Sequence, residues 1–388
     1  MSNDLKNEYI RVLWLRYKNA NRKQKTAILN EFCAVSSFTR KYAIKLFNRV
    51  PEHWFKKRPG RKRVYSEQAI YHLRKLWLIS NQMNSKRLRD AIPDWLPQYV
   101  ASESVKTELI TMSPATIDRY LAPFRAKIAR RRRSGTRKGK LIKSIIPIKP
   151  FDHNINQPGH VEADTVAHCG GSLAGEFIWS VTFTDIFSGW TENRAVWGKG
   201  ANGVVDAIRS IELTLPFPIL SFNSDNGTEF LNYHLIRYFG PEGEKKRPAQ
   251  LMTRSREYRK NDNCHVEQKN WTHVRELFGY DRFSNPKQVE LMNLIYSAEH
   301  NLLHNFFYPQ MKLKTKMRVG SKYKRTYDRP QTPYRRILAC EYVSQATKDS
   351  LTSIFNSLNP FRLTKDMDKK LRTFYKANQP ITDEKDAA

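Results

Sequence analysis

No apolar run in this chain approaches the roughly 20 residues that a membrane-spanning helix needs, which excludes a spanning segment. The first 30 residues carry charges throughout and hold no apolar signal core, so a secretory leader is not expected. Cysteine is scarce: Cys33, Cys169, Cys264 and Cys340 lie far apart with no paired spacing. That pattern argues against disulfides or a zinc site built on these cysteines and for a reducing compartment. Acidic residues are also under-represented, 37 against 68 Lys plus Arg, for a formal charge of +31 over 388 residues. Such an excess opposes compaction and points to a polyanionic partner, nucleic acid before an anionic membrane surface. A cytoplasmic, nucleoid-associated protein is expected, with no membrane partner.

The longest stretch without an acidic residue runs from Arg119 to Phe151 and contains Arg130, Arg131, Arg132 and Arg133. Like charges in a block repel and stay extended until they meet a counter-charge, so residues 130–150 read as a phosphate-binding linker without sequence preference. A second basic linker, residues 51–65, carries Lys56-Lys57-Arg58-Pro59-Gly60-Arg61-Lys62-Arg63. These linkers divide the chain. Residues 1–50 read as three helices, the first presenting Leu5, Tyr9, Val12, Leu13 and Leu15 on roughly one face. The second runs from about Arg22 to Cys33, and the third carries Arg40, Lys41 and Lys45, in a helix-turn-helix layout. Residues 66–129 form a second helical unit, in which Ser113 caps a helix begun by Pro114 and presenting Thr116 and Arg119. Two such units would read a longer DNA site than one.

Beyond Gly159 the pattern changes. His160–Val166, Phe177–Asp185 and Thr191–Trp197 read as strands joined by short polar connections, as in an antiparallel meander. A helix over Ala201–Leu215 comes next, then a strand ending at Asp225, a helix to Phe239 and a short strand Gln250–Thr253. Long helices are expected from about Asp262 to Phe278 and from Pro286 to Phe306. The fold class is therefore α/β, a mixed sheet of five strands with helices on its faces, spanning residues 151–306. Residues 307–388 form a basic C-terminal region, whose lysines interleaved with tyrosines suit either a nucleic-acid groove or a solvated tail.

Three carboxylates carry the chemistry. Asp164 sits centrally in the first strand, with Glu162 on the same face, where an unpaired charge is costly. Asp225 ends an apolar strand just before Asn226-Gly227, and strand ends in open α/β sheets are where ligand chemistry sits. The third comes from the helix after Thr253: Glu257 lies in a loop, Asp262 suits a cap, Glu276 lies two turns further on, and Glu267 can point back to the sheet. Converging carboxylates resist full ionisation unless a cation joins them, and hard oxygen donors suit Mg²⁺ or Mn²⁺, two ions serving phosphodiester chemistry. Arg254, Arg256, Arg259 and Lys260 flank this helix as a DNA-gripping loop. His160, His168 and His265 lie near it without metal-cluster spacing, and no Ser or Tyr sits in an activating arrangement.

Asp164-Thr165, Asp225-Asn226-Gly227 and Asn263-Cys264-His265-Val266-Glu267-Gln268 resemble the signature of the DDE transposase and retroviral integrase superfamily, within it a bacterial insertion-sequence transposase with an integrase catalytic core. The resemblance covers about residues 150–300. It implies an RNase H-like core, metal-dependent cleavage at element ends, and transfer of the freed 3′-hydroxyl to target DNA without a covalent protein–DNA intermediate. It also implies that Asp164 bridges two Mg²⁺ or Mn²⁺ ions held singly by Asp225 and Glu267. The partners implied are the element's terminal repeats, target DNA and a second copy of the chain or a higher oligomer. The chain departs from the family in a longer Asp225–Glu267 gap, with an insert at Pro241–Pro248, and in Val274 where a basic residue is usual; Lys269 or Arg275 is the expected substitute. A nuclease that does not join strands, or a DNA-binding protein that has lost activity, are the competing readings.

Overall fold

The computed structural model describes residues 3–49, 64–125, 155–224, 230, 233–239, 252–254 and 264–376. The chain forms two compact units, Met1–Val64 and Tyr65–Ala388.

In the first unit α1 (Asn3–Lys18), α2 (Arg22–Ser36) and α3 (Arg40–Arg49) enclose a small core of Leu13, Trp14, Tyr17, Ile28, Leu29, Phe32, Ala43 and Phe47. Asn21 starts α2 through a reciprocal box: its side chain accepts from the Gln24 N–H at 2.9 Å and the Gln24 side chain accepts from the Asn21 N–H at 3.0 Å. The helix outlasts the expected Cys33 and stops only where Ser37 turns left-handed, with φ 58°. Arg40, Lys41 and Lys45 on α3 are all exposed.

The second unit opens with α4 (Glu67–Ile79), α5 (Ser85–Trp95), α6 (Glu103–Thr111) and α7 (Pro114–Arg125). Each begins at a side-chain cap, Ser66, Asn84, Ser102 and Ser113, whose oxygen accepts an N–H three residues on. The Ser113–Pro114 start read from sequence is in place. Thr116 is half-buried and Arg119 exposed.

The sheet comprises β1 (His160–Ala167), β2 (Ile178–Asp185), β3 (Thr191–Trp197), β4 (Ser221–Ser224) and β5 (Met252–Arg254), in the order β3-β2-β1-β4-β5. The β1–β2 and β2–β3 pairs are antiparallel; β1–β4 and β4–β5 are parallel. The meander closes with short turns. Its tightest is stapled by buried Asp185, which accepts from the Gly159 N–H at 2.8 Å and the Ser188 N–H at 2.6 Å. A parallel partner needs a longer crossover, and α8 (Ala201–Glu212) supplies it before β4. β4 begins only at Ser221, after Pro216 and Pro218, which have no N–H to donate to a ladder.

After α9 (Tyr233–Phe239) and β5, a continuous helix runs through α10 (Cys264–Lys269), a π segment (Asn270–Arg275) and α11 (Glu276–Phe278). The next helix passes from α12 (Gln288–Ile295) into two more π segments, Tyr296–His300 and Leu303–Phe307. The basic C-terminal region is not a solvated tail. It holds a hairpin of β6 (Leu313–Val319) and β7 (Lys322–Tyr327), exposed along its whole length, then α13 (Pro333–Leu338), α14 (Gln345–Ser357) and α15 (Pro360–Lys376), whose apolar residues enter the cores.

The three stretches separated in sequence as a helical unit, a sheet core and a C-terminal region share one hydrophobic cluster. Polar ties reinforce it: Trp95 Nε1 donates to the Phe307 carbonyl at 3.3 Å, Arg329 bridges Asp90 at 2.9 Å, and Arg335 holds Asp94. Behind β1 and β2 lies His168, buried against Phe278 and Phe283 and hydrogen-bonded to the Ser180 hydroxyl at 2.8 Å. Burial, then nearby Arg275, push its imidazole down to about 3, so the fold requires it neutral. The unfolded chain takes up that proton below about pH 6.5 while the native protein refuses it. Stability contributed by this group is therefore full above that pH and is lost as pH falls toward 3. His168→Gln should flatten the fall by about 1.4 kcal/mol per pH unit between roughly pH 6 and 4, read from urea midpoints. An unchanged slope would show that His168 does not control it.

Candidate functional site

Alternation along β1 sends Val161 and Ala163 into the main core, and Glu162 and Asp164 to the opposite face, where α10 crosses. Asp164 is partly exposed. Its Oδ1 accepts from the adjacent Thr165 N–H at 2.7 Å, and its Oδ2 from the Asn270 side-chain amide at 2.6 Å. Asn270 stands one helical turn after Glu267, so this bond ties the carboxylate strand to the helix that carries the third carboxylate. Glu267 itself is exposed.

Glu162 makes the second tie. It has no exposure, and its Oε2 accepts the His265 and Val266 backbone N–H groups, both at 3.0 Å. These donors belong to the first turn of α10, where backbone N–H groups lack intrahelical partners and the helix dipole is positive. Desolvation, then neighbouring Glu267 and Asp164, raise this carboxyl to about 8 against the pull of those two bonds. Three carboxyl groups therefore share one electrostatic neighbourhood, with the innermost protonated at neutral pH. Its Oε1 has no hydrogen-bond partner among the described residues. Sequence reading placed Glu162 on the right face but gave it no role; a buried acid two residues before Asp164 was the available signal.

β4 ends at Ser224, which stands opposite Ala163 in the parallel register, so the carboxyl end of β4 lies beside the middle of β1. Asp225 comes directly after that strand and lies outside the described residues, as do Arg130, Arg131, Arg132, Arg133, Arg256, Arg259 and Lys260. Arg254 closes β5 with its backbone described and its side chain not. The donor set in view, carboxylate oxygens on half-exposed Asp164 and exposed Glu267, suits a hard divalent cation such as Mg²⁺ or Mn²⁺.

Two expected DNA contacts are corrected. Lys269 is buried, and its amine donates to Gln310. A helix turns about 200° in two residues, so a side chain two positions after exposed Glu267 faces inward. Burial, with Arg87, Lys312 and Arg336 nearby, holds its amine well below the usual lysine range. Arg275 is committed to structure as well: it donates to the Ala167 carbonyl at 3.0 Å and the Gly279 carbonyl at 3.2 Å, and lies 4.6 Å over the Tyr280 ring. Neither replaces the basic residue missing at Val274, itself fully buried. The nearby histidines are structural in their bonding: His160 pairs with the Ser221 hydroxyl at 2.8 Å and His168 with Ser180.

Fold and site together define an α/β protein with a five-stranded mixed sheet flanked by helices, with acidic groups gathered where β1, β4 and α10 meet. No family model matches the chain. Over 342 residues it is 33% identical to "Uncharacterized protein y4rM" of Sinorhizobium fredii, a match spanning 85% of this chain and 94% of that protein. The chain belongs to the family of that protein.

Removing the Glu162 acceptor should loosen α10 from β1. Glu162→Ala should cost about 1–3 kcal/mol of unfolding free energy. Glu162→Gln keeps an acceptor oxygen and buries no ionisable group, and should cost less than half as much. Chemical denaturation checks both, and equal losses would show that the two N–H bonds are not what Glu162 contributes.

Proposed function

We propose that the chain is a DNA transposase of the DDE type, with an RNase H-like core that cleaves DNA strands and transfers the freed 3′-hydroxyl to target DNA. One observation carries the reading: Asp164 at the centre of β1 stands beside the end of parallel β4, after which Asp225 comes next in the chain, and is bonded through Asn270 to the helix bearing Glu267. The strand order, with three antiparallel strands and then two parallel ones, supports the RNase H-like assignment. A charge of +31 suits a nucleic-acid substrate.

In this reading Asp164, Asp225 and Glu267 would hold Mg²⁺ or Mn²⁺. A bound pair of such ions supplies charge stabilisation for an in-line displacement at a phosphodiester. The protein's own contribution is positional. Asn270 fixes the orientation of Asp164, and Glu162 fixes the start of α10 against β1. Glu162, fully buried and with its carboxyl raised mainly by desolvation, steadies the site from the interior, while Asp164 and Glu267 face outward. Exposed Arg40, Lys41 and Lys45 on α3, the second helix of a helix-turn-helix pair, offer phosphate and base contacts. Element ends as the DNA partner, a pair of protomers to bring two ends together, and association with the nucleoid all belong to this reading.

Supercoiled plasmid incubated with Mn²⁺ should be nicked by the wild-type chain. Asp164→Asn and Asp225→Asn should each slow nicking by at least about 10²-fold, the scale lost when one transition-state-stabilising group is removed, with DNA affinity unchanged. Nicking by either variant at the wild-type rate would refute the assignment. Joining of a 3′-hydroxyl oligonucleotide end to plasmid separates a transposase from a plain nuclease. Replacing Lys41 and Lys45 by alanine should weaken binding and reduce the slope of log affinity against log salt by about 1 per lysine. An unchanged slope would remove α3 from the interface.

A further inference from the structure

On the inner side of the same long helix lies a group of residues that the proposed reaction does not use. His273, His300 and His304 are all buried, and one ring nitrogen of each lies within 4.8 Å of the other two. Their ring centroids are 4.0 Å apart for His273–His304, 4.3 Å for His300–His304 and 5.3 Å for His273–His300. Three imidazoles packed this closely, among few polar partners, need a physical reason. Hydrogen bonding supplies little of it: Asn301 engages the His300 ring, but His273 Nδ1 and His300 Nδ1 are fully buried with no hydrogen-bond partner among the described residues. Leaving ring nitrogens unmatched in the interior is costly unless something else engages them.

The backbone is also unusual here. Each of the three histidines lies in a π segment: His273 in Asn270–Arg275, His300 in Tyr296–His300 and His304 in Leu303–Phe307. Such segments are rare in helices and occur frequently at functional sites, because the widened turn re-aims side chains. His300 and His304 stand four residues apart, the spacing that places two ligands on one helical face. His273 meets them from the neighbouring helix.

We propose that His273, His300 and His304 bind a borderline-soft divalent metal ion, Zn²⁺, as a site separate from the carboxylates. Neutral imidazoles suit zinc and its late transition-metal neighbours and do not suit Mg²⁺ or Ca²⁺. All three rings are buried, an environment that favours the neutral imidazole that ligation requires. Zinc–nitrogen bonds of about 2.1 Å place tetrahedral ligands roughly 3.4 Å apart. The three nitrogens lie within 4.8 Å of one another, and the closely packed rings must splay apart as those nitrogens draw in to that spacing.

A fourth position is available from solvent. A cavity of about 390 Å³ is lined by His300 and His304 together with Thr272, Glu276, Tyr308 and Asp368. It gives the metal an entry path and room for a water or for a carboxylate from α11 or α15. The charges around the triad are mixed. Lys269 and Arg87 stand close enough to push His273 and His304 down, and they oppose a cation. Both are already engaged, Lys269 by Gln310 and Arg87 by the Pro309 carbonyl at 2.5 Å. Glu276 and Asp368 lie on the wall of the same cavity.

The two sites share no residue, so this one stands independently of the strand-transfer reading. The test is a Co²⁺ titration of the chelator-treated, full-length chain, followed in the visible spectrum in the presence of excess Mg²⁺. One Co²⁺ per chain should bind with the intense bands of tetrahedral coordination, and one equivalent of Zn²⁺ should bleach them. Asp164→Asn combined with Glu267→Gln should leave the spectrum intact, whereas His304→Gln should weaken binding by at least about tenfold. A wild-type chain that is folded by circular dichroism and shows no stoichiometric tetrahedral band overturns the proposal, whatever the variants do. So does a band that survives in His304→Gln and disappears in the carboxylate variant.

Discussion

The two hydrogen bonds from the start of α10 to buried Glu162 are the constraint on which the arrangement of the site depends. A strand and a helix from distant parts of the sequence have no covalent reason to keep register, and apolar packing alone tolerates sliding. A carboxyl group with no exposure does not, because any shift would leave it, and two orphan N–H groups at a helix start, without partners. The bond from Asn270 to Asp164 then sets rotation as well as position. Two polar ties spaced along one helix fix a geometry that one tie would leave free to pivot. The helix start also explains why an acid is used here: the dipole end and the unpaired donors both favour an acceptor.

A second constraint operates deeper in the molecule. Arg87, Lys269, Lys312 and Arg336 converge near Pro309 and Gln310, and burial, then the neighbouring cations, depress Lys269 and Lys312 alike. Carbonyls and side-chain oxygens meet them: Lys312 donates to the carbonyls of Ile186 and Phe187, Arg336 to that of Gln310 at 3.0 Å and to Asp328 at 2.7 Å. These bonds reach from α5, the long helix bearing Glu267 and the C-terminal region into the turn between β2 and β3. Desolvated cations make such a junction demanding, since each needs its own acceptor. The shared hydrophobic cluster joins stretches with separate sequence characters, and this junction fixes how they meet.

Much of this was legible in the chain, for identifiable reasons. Alternation and short polar turns gave the meander, and strand–helix alternation gave the parallel additions, because burial on sheet faces imposes those periods. Caps such as Ser113 were legible because their chemistry is local. Inward placement of Lys269 was not: a lysine beside an acidic residue on a helix reads as surface, and only the helix's rotation relative to the sheet decides otherwise. The C-terminal region misled through composition. Its charged residues suggested either a nucleic-acid groove or a solvated tail, while Tyr334, Ile337, Leu351 and Phe374, spread thinly among them, carry the burial. The histidine cluster was illegible for another reason, since His273 meets His300 and His304 only through tertiary packing.

One helix thus serves two opposed environments. Glu267 projects into solvent on a face crowded with carboxyl groups, and Lys269 and His273 project into an interior that strips charge from bases. The same 100° step per residue that separates those faces also couples them. Moving the helix to suit one side displaces the other by the same amount, and the π segment between Asn270 and Arg275 is where its winding departs from the regular α pattern. A π turn holds one more residue than an α turn, so it rotates the residues after it relative to those before it. Asn270, which fixes Asp164, and His273, which joins the imidazoles, both lie within that widened turn. The acidic face and the imidazole cluster therefore constrain a single stretch of backbone, and a substitution that relaxes the π turn to regular α-helix must misplace one of them.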